Sequence, residues 1–222
     1  MRPNFSPALL IASIAGLFLL MAIVQIGLVS IGFEKLGLSQ QSAMLLLFSS
    51  LLGSIINLPL FSMKVEEPAE GMAPRTLFGL LRPIPLPFTG RMQVMVNVGG
   101  CLIPITFSLY LFTHVEFEVW RVILAIAVVS AFAYGVSRPM PGIGIGMPFF
   151  AAPIAAALTA IMVDSAHSAP LAYICGTSGV IIGADLMRIA DIRKIGAPFA
   201  SIGGAGTFDG VFITGIVAVL LA

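Results

Sequence analysis

Charge is scarce in this sequence. Lysine and arginine number 11, aspartate and glutamate 10, and together they make up 9% of 222 residues. A soluble domain of this length needs far more polar surface, so the composition argues against that class. The basic residues are scattered at loop ends and form no patch, which excludes nucleic acid as a partner. Cysteine is scarce too. Cys101 and Cys175 fall within apolar runs, without the spacing of a metal site or redox motif, and read as small buried thiols. No cofactor is implied.

What is abundant is hydrocarbon. Hydrophobic residues make up 59% of the chain, and the mean hydropathy is +1.08. The expected class is an integral membrane protein forming one transmembrane domain over 1–222, with the lipid bilayer as its partner. A helix needs roughly 20 apolar residues to cross the hydrocarbon core, fewer when its neighbours bury it. That measure predicts an all-α polytopic bundle of seven helices: 7–32, 41–62, 92–113, 119–137, 147–163, 169–186 and 207–222. The first run is too long for a signal-peptide core and counts as a span. The two halves of the chain show no similarity, so an inverted repeat is not expected.

Lysine and arginine set the orientation. With the N-terminus in the cytoplasm, that side holds Arg2, Lys64, Arg75, Arg82, Arg91, Arg138, Arg188, Arg193 and Lys194, and the other side only Lys35 and Arg121. The longest loop, 63–91, carries Glu66, Glu67 and Glu70, then an apolar stretch among Pro83, Pro85 and Pro87. The prolines rule out a continuous helix there. The stretch is expected to lie along the membrane interface as a connector.

Against this background two aspartates stand out. Asp185 ends the sixth run and Asp209 opens the seventh, joined by a cytoplasmic, glycine-rich connection. Carboxylates are costly near hydrocarbon, so a converging pair marks a functional site. Gly176, Gly179 and Gly183 sit three and four apart, a small-residue stripe that admits a neighbouring helix. Past Asp185, Arg193, Lys194, Gly196 and Pro198 are helix-stop signals, so the sixth helix should run about two turns beyond the aspartate. Thr207 is the expected N-cap of the seventh helix, with Asp209 in its first turn. The blander alternatives are a dipole-stabilised Asp209 and an Asp185 paired with Arg188 or Arg193. If the carboxylates meet, they share a proton and suit acid–base hydrolysis of a peptide bond. Gly183, Gly203, Gly204, Gly206 and Thr207 are then expected to hold the substrate.

Two resemblances attach to these residues. Gly183-Ala184-Asp185-Leu186, with the segment from Gly196 through Gly203-Gly204-Ala205-Gly206-Thr207-Phe208-Asp209-Gly210 to Gly215, resembles a bacterial and archaeal family of membrane proteins termed domain of unknown function 1614. That likeness implies a prokaryotic cytoplasmic membrane and brings no activity. Asp185-Leu186 and Asp209 are also similar to the presenilin and prepilin-peptidase type of membrane aspartyl protease, where an aspartate in helix six pairs with one opening helix seven. The resemblance implies a peptide or membrane-protein substrate. Here Thr207-Phe208 separates Gly204-Ala205-Gly206 from Asp209, and no Pro-Ala-Leu segment follows.

Other polar groups are sparse. His114, Glu116, Glu118, Asp164 and His167 gather on the side opposite the aspartates, where solvated loop ends are the expected reading ahead of metal ligands. Asn97-Val98-Gly99-Gly100, Pro104, Pro148, Pro153 and the Gly142-Ile143-Gly144-Ile145-Gly146 turn mark places where helices break or kink. Gln25, Asn57 and Asn97 supply hydrogen bonds between helices. The expected function is a diaspartyl intramembrane hydrolase; the alternative is a proton- or ion-coupled transporter using the same aspartates.

Overall fold

The computed structural model describes residue 27 and residues 31–65, 90–140, 144–194, 199–204 and 210–222. Nearly all of the first expected span, most of the 63–91 loop and the residues around Asp209 lie outside these. The described chain is mostly helical, and its elements run α1 (Gln40–Gly53), β1 (Asn57–Lys64), β2 (Arg91–Asn97), a π-helical segment (Val98–Leu102) and α2 (Ile103–His114). Then come α3 (Val119–Val136), β3 (Arg138–Met140), β4 (Gly144–Gly146), α4 (Ala151–Val163) and α5 (Ser168–Val180). A second π segment (Ile181–Leu186), α6 (Ile189–Lys194), β5 (Phe199–Ile202) and α7 (Gly210–Leu221) follow.

Helix α5 is the axis. Every residue from Leu171 to Thr177 is buried, and α2, α3, α4 and α7 pack around it. Small residues allow the close approach. A Cβ on Gly176 would meet Ala156 of α4 at 3.2 Å and Thr214 of α7 at 3.6 Å, while one on Gly179 would meet Val129 of α3 at 2.6 Å. The expected single glycine stripe therefore serves different neighbours, because positions three apart on a helix differ by about 60° in direction. Tyr173, Leu171 and Phe107 centre this first core, with the Phe107 and Tyr173 rings edge-on at 5.0 Å.

The all-α expectation is corrected in the second and third runs. Each is half helix and half strand. β1 pairs antiparallel with β2, Asn57 opposite Asn97 and Lys64 opposite Arg91, and β2 pairs parallel with β5. Pro59 explains why the second run cannot stay helical, since it lacks an N–H and pushes its predecessor toward extended backbone. In β2 the period is two: Met92, Val94 and Val96 are buried, and Arg91 and Gln93 are exposed. Those inward residues join Val180, Ile181, Ala184, Ala200, Ile202 and Val211 in a second core at the far end of α5.

Two stretches among the described residues are long and apolar enough to cross a membrane, Val119–Val136 and Ser168–Arg193. Val98–His114 and Ala151–Val163 are shorter apolar helices. Among the described residues, then, two helices are of spanning length, others are short, and the second and third runs are strand–helix hybrids. On α3 only 28% of the span is buried, and Trp120, Ile123, Leu124, Val128 and Phe132 are all exposed. Lys35, Arg121, Asp164 and Ala222 collect at one end of the bundle: Lys35 Nζ donates to Val219 O and Leu220 O, and Ser168 Oγ donates to Ala222 O.

Candidate functional site

Asp185 lies in the π segment that ends the axial helix, where the wider turn redirects side chains that an α-helix would stack on the preceding turn. The Met187 N–H donates to Ile182 O at 2.9 Å, one i→i+5 bond of this wide turn. The half-buried carboxylate is held from across the chain: the Gly203 N–H donates to Asp185 Oδ2 at 2.7 Å. Gly203 and Gly204 have φ of 80° and 91°, left-handed values that favour glycine. A Cβ on Gly203 would lie 2.6 Å from the Gly100 carbonyl carbon and 2.7 Å from Cys101, so the turn is wedged against the first π segment.

That segment is itself held by polar side chains. Asn97, fully buried, caps it by accepting from the Gly100 N–H at 2.7 Å. Its Nδ2 donates to Ser54 O at 2.7 Å and to Asn57 Oδ1 at 3.2 Å. Asn57 Oδ1 also accepts from Ser201 Oγ at 2.6 Å, and Ser50 Oγ donates to Gly99 O at 2.5 Å. Asn57 and Asn97 were expected as hydrogen-bonding groups between helices; they act between strands and a broken helix instead. Ser201 and Ser54 carry no motif that would single them out. The alternation of Arg91 to Asn97 is the signal that foretells the sheet joining them.

The alternative that Asp185 is neutralised by Arg188 is overturned. Arg188 Nη1 pairs with Asp191 Oδ2 at 2.8 Å, Nη2 donates to Tyr134 O and Ser137 O at 2.6 and 2.9 Å, and the guanidinium stacks over the Tyr134 ring at 4.1 Å. Among the described residues Asp185 has no ion pair. The expected extension past Asp185 exists as α6, set off by a break at Met187 and Arg188. Asp209, Gly206 and Thr207 lie outside the described residues. Gly183 faces α3, where a Cβ would run into Ser130 O and Ala133, so the role visible there is helix packing.

The opposite end carries a separate cluster. Asp164 is buried, and its Oδ2 lies 3.2 Å from His167 Nδ1 and 3.7 Å from Arg121 Nη1. Burial pushes its carboxyl up, but hydrogen bonds from the His167 ring and backbone, with the charges of His167 and Arg121, outweigh that and hold it below the usual value. Glu118 binds Arg121 at 3.1 Å and accepts from Trp120 Nε1 at 2.6 Å. His114 turns back onto its own helix, stacked on Tyr110 with ring centres 4.0 Å apart. These groups serve each other, and no set of three metal-ligating side chains converges among the described residues. An apolar groove of about 290 Å³ between α2 and α3, floored by Ile174 and Ser178, contains no titratable group.

The family model described as "Protein of unknown function (DUF1614)" matches residues 51–221, which takes in the sheet, both π segments and the whole of the axial helix. The chain belongs to that family. No curated protein and no solved structure matches it. The similarity to presenilins and prepilin peptidases therefore has no support beyond Asp185, Leu186 and Asp209 themselves.

Proposed function

We propose that this DUF1614 protein is a membrane-embedded diaspartyl hydrolase that cuts peptide bonds, with Asp185 and Asp209 as its acid–base pair. The observation that carries the reading is the Gly203-to-Asp185 hydrogen bond, because it ties the turn entering the last helix to the first aspartate. The antiparallel register of α5 and α7 adds support. Ser168 meets Ala222, Gly176 meets Thr214, and Gly215 meets Tyr173 and Thr177. That register runs the described part of α7 from the Asp185 end of α5 to its Ser168 end. The exposed apolar face of α3 supports a bilayer setting, and the nine-to-two bias of Lys and Arg supports a cytoplasmic N-terminus in a prokaryotic inner membrane.

In this reading the pair shares one proton, since two carboxylates a few ångströms apart do not both ionise. The ionised partner takes a proton from water, whose oxygen attacks the peptide carbonyl carbon. The protonated partner donates to the carbonyl oxygen, giving a neutral tetrahedral gem-diol. Collapse of that species passes a proton to the amide nitrogen, and the C–N bond breaks to a carboxylic acid and an amine. A single-span reporter peptide in vesicles with the purified full chain tests this directly. Cleavage that vanishes in both Asp185→Asn and Asp209→Asn supports the reading; full activity in either one removes it.

Proton-coupled transport has its own favouring observation. The second and third crossings are each interrupted, and a polar network lines the break, as in carriers built on discontinuous helices. Proton flux into vesicles driven by a solute gradient, abolished in Asp185→Asn, would favour this reading over hydrolysis.

A further inference from the structure

We propose that Ser201 and Asn57 are positioning residues for Asp185, acting through the turn at Gly203. The inference rests on Asp185 being the working carboxylate of the proposed function, though not on which bond it helps to cut.

β5 is only four residues long and pairs along β2 alone among the described strands. One short ladder fixes a strand weakly. The Asn57 side chain provides a second tie. It belongs to β1, on the other side of β2, and its Oδ1 accepts from Ser201 Oγ, which lies opposite Met95 of β2. Its amide is oriented by the neighbouring Asn97, whose Nδ2 donates to the same oxygen while also holding Ser54 O. Ser201 thus engages the sheet through its side chain and the turn through its backbone, since its carbonyl accepts from the Gly204 N–H at 3.3 Å. Between those two attachments sits the Gly203 N–H that donates to Asp185. A hydrogen bond to a carboxylate depends steeply on distance and angle. Loss of the Ser201 hydroxyl therefore frees the turn and loosens the one described contact that selects a geometry for this carboxylate.

A simple sheet pin would change stability and leave Asp185 chemistry alone, so the test reads the aspartate itself. The full chain in nanodiscs is treated at one neutral pH with a hydrophobic carbodiimide, and modification of Asp185 is followed by peptide mass spectrometry, with Asp185→Asn as the blank. Ser201→Val and Ser201→Thr have the same shape and differ in the hydroxyl. The Val variant should change the modification rate about tenfold, the scale of one hydrogen bond to a charged group, and the Thr variant should keep the wild-type rate. Asn57→Leu should match Ser201→Val. Equal rates in Val, Thr and wild type would overturn the proposal, as would equal changes in Val and Thr. If Ser201→Val does not elute as a folded protein, Ser201→Ala replaces it with the same two outcomes. Peptide cleavage is measured in parallel. A protein that never cleaves yet shows the Val–Thr difference loses the hydrolase reading and keeps this one.

Discussion

The two ends of the axial helix solve the same problem differently. At the Ser168 end, a regular α-helix is surrounded by Leu111, Val122, Ala160 and Val219, and its few charges satisfy one another in the Glu118–Arg121–Asp164–His167 cluster. At the Asp185 end, the helix widens into a π segment, its neighbours become strands, and backbone meets backbone through glycine. One end is packed by side chains, the other by backbone wedges and polar caps. The difference teaches where chemistry fits: a backbone left without its regular ladder must find partners, and those partners can aim a carboxylate.

The comparison breaks most sharply at Asp185. Asp185→Asn should lower peptide cleavage by about 10²- to 10⁴-fold, the range for removing a general acid or base, while the melting temperature stays near that of the wild type. Asp164→Asn should leave the cleavage rate intact; an equal loss from both would erase the distinction between the ends. Next in size is Gly99→Ala. Its Cβ would run into Ser50 O and Ser54 N, both backbone atoms at the end of α1, so roughly 3 kcal/mol of stability should go, read as loss of the folded peak in size exclusion.

At the other end the expected effect is a pH dependence. The Asp164 carboxyl is held below its ordinary value, so its contribution to stability is complete above the usual carboxylate range and is lost as pH falls through the lowered one. The Asp164 contribution to the melting temperature should therefore fall away only below the usual carboxylate range, and Asp164→Asn should flatten that acid limb. The smallest change is expected at Gly135. Nothing lies within 4 Å of a Cβ there, so Gly135→Ala in the exposed end of α3 should gain about 0.5 kcal/mol from helix propensity. A destabilised Gly135→Ala would show that α3 has an unseen neighbour.

The runs that become α3, α4, α5 and α7 were legible because their apolar length is continuous and their flanks carry stop signals. The sixth run even disclosed its extension, through Arg193 and Lys194. The second and third runs misled because hydropathy counts hydrocarbon and ignores period. Asn57, Pro59 and the alternating Met92, Val94 and Val96 all spoke for strands within a stretch whose average reads as a span. Asp185 was found because a carboxylate in such a run is rare. Its partner Gly203 emerged only as part of a glycine-rich turn, since a backbone N–H has no letter in a sequence. Asn57 and Ser201 come together across three strands, a convergence that no local pattern encodes.

The stretch beyond Asp185 is moored twice, by Arg188 to the foot of α3 and by Gly203 to the aspartate. Its two moorings are unlike. Several contacts and a stacked ring secure the first; at the second the aspartate meets a single N–H, in a turn that β2, Asn57 and Gly100 hold in place. Loss of the Gly203 contact would leave the Asp185 carboxyl without a hydrogen bond among the described residues, whereas Arg188 has several contacts to lose before it lets go.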